Sequence, residues 1–370
     1  MKVLLLLSFR VADGGLANNH NGPLTISRNA VPHSFEEVSF DDATELARSG
    51  TDLTAEQTGA LIDTMLRGEA PAAQVSELLL ALREKGEAVS ELVGAASAMR
   101  SHMTRIDHDH DVLLDTCGTG GSGSGTFNIS TAVAILAAAC GVAVAKHGNR
   151  KATSLSGSAD VLEHLGVKIE SDADEVARSL NEHGICFCFA AKLHPAMRHV
   201  VAIRRSLGVP TLFNLLGPLC NPAGATHQLL GTSAPETQAK IAAAMTELAT
   251  QRSFVLHAED GQDEVSLDGV TRCVEVRGTQ ETAHDWTAAS FGLLPAHRDA
   301  LAAGDPAASA QIIRDVFNGK IGPQRDTVVA GCAAALLLVE KVADLRAGAE
   351  MAAEAIDSGA ATQKLKQLAG

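Results

Sequence analysis

The sequence has little positive charge, no closely paired cysteines, no long apolar run and no internal repeat. Its 30 basic residues face 44 acidic ones, a formal net charge of -14. Such a balance repels phosphate backbones unless the basic groups cluster strongly, which argues against a nucleic-acid partner. The seven cysteines (Cys117, Cys140, Cys186, Cys188, Cys220, Cys273, Cys332) are odd in number, scattered and never spaced CxxC. They read as reduced core thiols of a cytoplasmic protein rather than a disulfide framework or thiolate metal site. The apolar run Val3–Leu7 is too short for a signal-peptide core, and no other stretch approaches a membrane span. What is present is 370 residues, 46% apolar and 20% charged, enough for a well-buried core and two lobes.

Along the chain, residues 1–52 lack a sustained period and carry a cluster of Gly, Asn and Pro between Gly14 and Pro23. They are expected to form a loosely ordered extension. From Leu53 the pattern turns helical. Thr54 and Gln57 have capping-box spacing, Leu61, Ile62, Met65 and Leu66 recur at helical spacing, and Gly68 is a stop. Two more helices, from Pro71 to Lys85 and Val89 to Met103, complete a helical domain over 53–106, with a later contribution from about 192–215.

After the joint Asp107–Asp111 the rhythm becomes strand and helix in turn. Strands are expected at Val112–Leu114, Val142–Ala145, Val167–Ile169, Ile185–Phe189, His227–Gly231 and Ser253–His257. Helices are expected at Ser130–Cys140, Ala173–His183 and Glu236–Thr250, then near Thr327–Leu345 and Ala347–Leu368. This alternation implies an α/β domain over 111–370 with a mostly parallel sheet covered on both faces.

The chemistry concentrates in Gly118-Thr119-Gly120-Gly121-Ser122-Gly123, a GxGxxG after a predicted strand. A dinucleotide site would want an acidic residue at the tip of the second strand, where this chain has Lys146-His147. The loop Lys146–Lys151 is basic and suits a phosphate better than a ribose diol. No lysine-hydroxyl pair follows Gly123 or Gly125, so the other common phosphate loop does not fit either. The physical reading stands without those names: glycines admit an anion to backbone amides, and the helix start at Ser130 and Thr131 adds a favourable dipole.

Gly118–Thr131 (GTGGSGSGTFNIST), Lys146–Arg150 (KHGNR) and Ser156–Gly166 (SGSADVLEHLG) together resemble the anthranilate phosphoribosyltransferase family. His194–Met197 (HPAM), Phe213–Pro222 (FNLLGPLCNP) and Asp263–Ser266 (DEVS) extend the resemblance, which runs in order from about Leu53 to the C-terminus. It implies a small helical domain beside a larger α/β domain of the nucleoside phosphorylase/phosphoribosyltransferase type, in a homodimer. It also implies the second step of tryptophan synthesis, in which anthranilate displaces pyrophosphate from phosphoribosyl pyrophosphate.

Carried over residue by residue, the resemblance puts Gly118, Gly121, Ser122, Thr126, Asn128, Ile129, Ser130, Thr131, Lys146, His147, Gly148, Asn149, Arg150, Ser154 and Ser158 at the phosphoribosyl donor. Gly118, Asn149 and Arg204 match positions that also touch anthranilate, and a planar guanidinium suits its carboxylate. Ser130, Asp263 and Glu264 match magnesium positions, and hard oxygens sharing a cation with phosphates are what Mg2+ favours. No residue is assigned as nucleophile, and His147 is a binding residue with any catalytic role open. Two departures stand out. Ser122 occupies a position where the family usually has aspartate, which bears on metal affinity and donor geometry; Pro210 replaces a usual arginine. Competing readings are a nucleoside phosphorylase of the same fold and a non-catalytic nucleic-acid-binding relative.

Three features read as decoys. Asp107-His108-Asp109-His110-Asp111 is a solvated joint between lobes. His194 and His199 cannot share a helix face, and Cys186 and Cys188 point together into a strand's core side.

Overall fold

The computed structural model describes residues 38–120, 125–151 and 156–370. Four helices come first: α1 Phe40–Arg48, α2 Ala55–Arg67, α3 Ala72–Lys85 and α4 Val89–Ser101. The Thr54/Gln57 capping box is formed in both directions, and Gly68 ends α2 in the left-handed conformation at φ 75°. The ordered chain begins earlier than its composition implies. Ser39 caps α1, whose Ala43, Thr44 and Ala47 are buried against α3, so the loosely ordered extension cannot run to residue 52. The first helix precedes Leu53 unannounced because α1 buries small residues, which carry little hydrophobic signal in a polar segment.

Next come β1 Leu114–Gly118, α5 Ile129–Ala139, β2 Val144–Gly148, α6 Ser158–His164, α7 Ala173–His183 and β3 Ile185–Phe189. Two single turns, α8 Ala190–Leu193 and α10 Phe213–Leu216, flank α9 Arg198–Leu207. The chain continues through β4 His227–Gly231, α11 Pro235–Glu247, β5 Arg252–Ala258, β6 Thr271–Arg277 and β7 Gln280–Trp286. It closes with α12 Pro306–Phe317, α13 Pro323–Leu338, α14 Leu345–Asp357 and α15 Ala360–Ala369.

The seven strands lie in the order β3-β2-β1-β4-β5-β6-β7. The first five are parallel; β6 and β7 add an antiparallel hairpin at one edge. Val167–Ile169, expected as a strand, is irregular. Val167 and Ile169 are instead buried in the core between α6 and α7. Alternation across the sheet is visible in β3: Ile185, Phe187 and Phe189 enter one core, while Cys186 and Cys188 enter another.

On one face α5, α6 and α12 to α15 share the largest core. Helix α5 is buried along nearly its whole length, and its small side chains let α13 approach so closely that a methyl at Gly331 would stand 2.7 Å from Val133 Cγ2. Helix α15 lies against both α5 and α7. The other face carries α11, on which the helical lobe sits through α4, and α9 packs against α2 and α3.

Within that lobe one carboxylate does the work of several caps. Glu91 is fully buried; Oε1 accepts from Leu53 N at 3.0 Å, Oε2 from Ala88 N at 2.8 Å, and Lys85 Nζ stands 3.1 Å from Oε1. Removing it strands two amides and leaves the Lys85 ammonium with Asp52 Oδ1 at 2.6 Å and Gly86 O at 3.1 Å as its partners. Glu91→Ala is expected to destabilise the protein by about 3 kcal/mol, read from denaturant unfolding. A change under about 1 kcal/mol would show that water takes over these bonds.

Candidate active site

In an open parallel sheet, ligands collect beyond the carboxyl ends of the strands where the connection order reverses. Here the reversal lies between β1 and β4, whose last residues, Gly118 and Gly231, pair in register. Both are glycines because the Asp263–Glu264 turn lies directly over them. A methyl at Gly118 would stand 2.7 Å from Asp263 Oδ2, and one at Gly231 would run into the Asp263 carbonyl. The two carboxylates are thus held at the reversal by backbone packing.

Glu264 Oε1 accepts from Ser130 N at 3.1 Å, at the start of α5, where the helix dipole favours negative charge. Lys146, in the middle of β2, is buried; Nζ donates to Thr116 O at 2.7 Å and to Ser130 Oγ at 3.4 Å. Burial pushes its pKa down, against the pull of Asp115. Withdrawal from water, with Asp263 alongside, pushes Glu264 up to about 8. Beneath them Asp115 Oδ1 accepts from His147 N at 3.0 Å. Burial raises its pKa too, and Oδ2 has no hydrogen-bond partner.

Gly148 and Ser158 touch so closely that a side chain on Gly148 would displace the Ser158 hydroxyl, and Asn149 O accepts from Ala159 N at 3.2 Å. This seats the basic loop on the start of α6. Asn128 shares two hydrogen bonds of 2.9 Å with Ser309, Oγ accepting from its N–H and donating to its Oδ1. Thr126 bridges Ala302, anchoring the chain as it leaves the glycine loop.

Gly118, Ser130, Lys146, Asp263 and Glu264 therefore converge. Three residues expected at the donor have other surroundings in this structure. Ile129 and Thr131 are fully enclosed in the core because α5 is buried on all sides. The Arg150 guanidinium is taken by Glu163, at 2.6 and 2.9 Å, and by Asp160. Gly121, Ser122 and Ser154 lie outside the described residues, as does Val3–Leu7. The joint histidines bond to backbone, His108 to Ala223 O at 2.8 Å and His110 to Leu180 O at 3.3 Å. Cys186 and Cys188 pack with their sulfurs 3.9 Å apart.

Two site neighbours were not assigned to the site from the sequence: His194, read there as a decoy, and Asn214. His147 Nδ1 donates to Gly217 O at 3.0 Å, and its Nε2 lies 3.2 Å from Nε2 of buried His194. Asn214 is bonded to Arg204. Both lie in quoted segments, HPAM and FNLLGPLCNP, but only the folded chain shows which residues face the site. Among the described residues no group of three or more His, Cys, Asp or Glu could hold a metal. The Asp263–Glu264 pair would need further oxygens from a bound phosphate.

A mostly parallel sheet joined to a helical lobe, with lysine, paired carboxylates and a helix start at the reversal point, defines a glycosyl transferase working on a phosphate-bearing donor. The chain matches "Glycosyl transferase family, a/b domain" over residues 110–362 and "Glycosyl transferase family, helical bundle domain" over 42–103. It is 75% identical to an anthranilate phosphoribosyltransferase of Rhodopirellula baltica, over 90% of this chain and 97% of that protein. The crystal structure of anthranilate phosphoribosyltransferase from Thermus thermophilus matches with TM-score 0.82 at 41% identity, covering 89% of this chain and 98% of that one. The Saccharomyces cerevisiae enzyme in complex with phosphoribosyl pyrophosphate and Mg has TM-score 0.82 at 27% identity, covering 89% and 96%. The chain belongs to the anthranilate phosphoribosyltransferase family.

The histidine pair gives a pH test. Burial pushes His147 down to about 4 and His194 to about 3, whereas an unfolded histidine takes its proton near pH 6.5. The folded chain binds fewer protons below that value, so stability is fully present above about pH 6.5 and is lost as pH falls toward 4. His194→Gln is expected to flatten this decline in thermal unfolding between pH 7 and 4; an acid limb of unchanged slope would assign the loss to other groups.

Proposed function

We propose that the crevice over Gly118 and Gly231 takes phosphoribosyl pyrophosphate, with the pyrophosphate toward the start of α5 and anthranilate approaching from the Arg204 side. The enzyme is a pentosyltransferase: anthranilate's amino nitrogen bonds to C1 of the ribose as the C1–oxygen bond to pyrophosphate breaks. The products are N-(5-phosphoribosyl)anthranilate and pyrophosphate. The observation carrying this reading is the convergence of Lys146, Ser130 and the Asp263–Glu264 pair at the reversal point.

Backbone amides of the glycine loop and the α5 dipole stabilise phosphate charge, with Lys146 adding a buried positive centre. Asn128, Asn149 and Ser158 line the donor and hold its orientation. The reaction needs no protein nucleophile, because a glycosyl transfer can pass through an oxocarbenium-like state. The chain then contributes positioning and charge stabilisation. The half-buried Arg204 has no carboxylate partner among the described residues, so its charge suits an acceptor that brings a carboxylate. That favours anthranilate over the substrates of a phosphorylase.

Magnesium fits the residues present. Asp263, Glu264 and the Ser130 hydroxyl are hard oxygen donors, and the Asp263 carboxylate has no hydrogen bond or ion pair among the described residues. Bound there with the substrate's phosphates, Mg2+ would stabilise the charge on departing pyrophosphate. Ser122, Gly121 and Ser154 complete the donor contacts in this reading. The working form is a cytoplasmic homodimer.

Anthranilate fluorescence should fall when the protein is mixed with phosphoribosyl pyrophosphate and Mg2+, and stay constant without the metal. No loss from a folded sample would remove the reading. Asp263→Asn should raise the Mg2+ concentration needed for half-maximal rate by about tenfold or more, the worth of one charged ligand. An unchanged titration would put the cation elsewhere. Arg204→Ala should raise the anthranilate KM by at least about tenfold with the donor KM little changed; equal rises would return Arg204 to a structural role.

A further inference from the structure

Arg204 lies in the last turn of α9, and burial lowers its pKa. A flexible guanidinium so placed could fold back on the helix or lean into water, and either would cost acceptor affinity. Among the described residues its single hydrogen bond to another side chain is from Nη2 to Asn214 Oδ1, at 3.3 Å. Its guanidinium carbon lies 5.4 Å above the centre of the Phe213 ring, within range of a cation–π contact. One edge of the fork and one face are therefore engaged, and the remaining N–H donors are left for an incoming anion.

The acceptor atom is itself fixed. Asn214 Oδ1 also accepts from Thr211 N at 3.0 Å, and Asn214 N donates to Thr211 O at 2.8 Å. This reciprocal pair locks the asparagine side chain onto the turn that follows α9 and enters α10. Asn214 is neutral, so it can hold the guanidinium without cancelling its charge, which an aspartate at the same place would do. Phe213 is buried and leads into Gly217, whose carbonyl holds His147.

We propose that Asn214 is a positioning and specificity residue for the acceptor, aiming Arg204 at the anthranilate carboxylate while leaving its charge uncompensated. The proposal rests on the assignment of Arg204 given above. Asn214 itself makes no bond to substrate; it acts through Arg204, supported by the Phe213 ring.

The test is steady-state kinetics on the full-length protein, varying anthranilate and phosphoribosyl pyrophosphate separately in Asn214→Ala, Asn214→Asp, Arg204→Ala and the Arg204→Ala/Asn214→Ala pair. Asn214→Asp keeps an oxygen acceptor for Thr211 N and so guards against a folding failure. It should raise the anthranilate KM by about tenfold or more through neutralising Arg204, with kcat and the donor KM within about threefold. Asn214→Ala should raise the anthranilate KM in wild type and add nothing in the Arg204→Ala background. An unchanged anthranilate KM in Asn214→Asp, or additive losses in the double variant, overturns the proposal while Arg204 keeps its role. An unchanged anthranilate KM in Arg204→Ala overturns both assignments together.

Discussion

The site depends on the contact between the Asp263–Glu264 turn and two strand ends that carry no side chains. The turn can reach the reversal point because Gly118 and Gly231 are level with each other in adjacent parallel strands. Everything polar above the sheet is referred to that contact. It sets Glu264 at the start of α5, and through Ser130 it sets the neighbourhood of the Lys146 ammonium. Charge is placed here by steric fit of the Asp263 residue against two strand ends without side chains, a support built on rigid elements.

The same packing creates an electrostatic imbalance. Lys146, Asp115 and Glu264 are all moved away from their ordinary ionisation by loss of water, the base downward and the acids upward. A buried polar cluster is costly unless each member is satisfied, and among the described residues Asp115 Oδ2 and the Asp263 carboxylate have no hydrogen-bond partner. Shifted and unpaired groups of this kind cluster at functional sites, and in the proposed reading the donor's phosphates and Mg2+ would be their partners. At Arg204 the charge is inverted: its guanidinium is held by a neutral amide and an aromatic face, with no carboxylate partner among the described residues.

Much of this was legible in the residues. The strand-and-helix rhythm gave the parallel sheet, with Ala173–His183, Ile185–Phe189 and His227–Gly231 bounded as expected. The basic second loop separated a phosphate site from a dinucleotide site before any fold was known. What failed had physical causes. The β6–β7 hairpin escaped notice because β7, Gln280–Trp286, is mostly polar and exposed at the sheet edge. The expected helix Ala347–Leu368 is two helices, broken where Gly359 takes φ 80°. Donor contacts at Thr131 and Arg150 could be expected from their place in a motif. The enclosure of Thr131 and the Arg150–Glu163 ion pair could not be, because they depend on α5 being enclosed on every side and on Glu163 arriving from α6. No local pattern encodes either.

Helix α5, which opens at the donor site, is covered by α13 and finally by α15, the last ordered turn sequence of the chain. Its apolar sides are therefore made early in synthesis and covered late. The full packing of the helix that opens at the donor site thus waits on segments far from it in sequence, a non-local closure of the kind that slows folding.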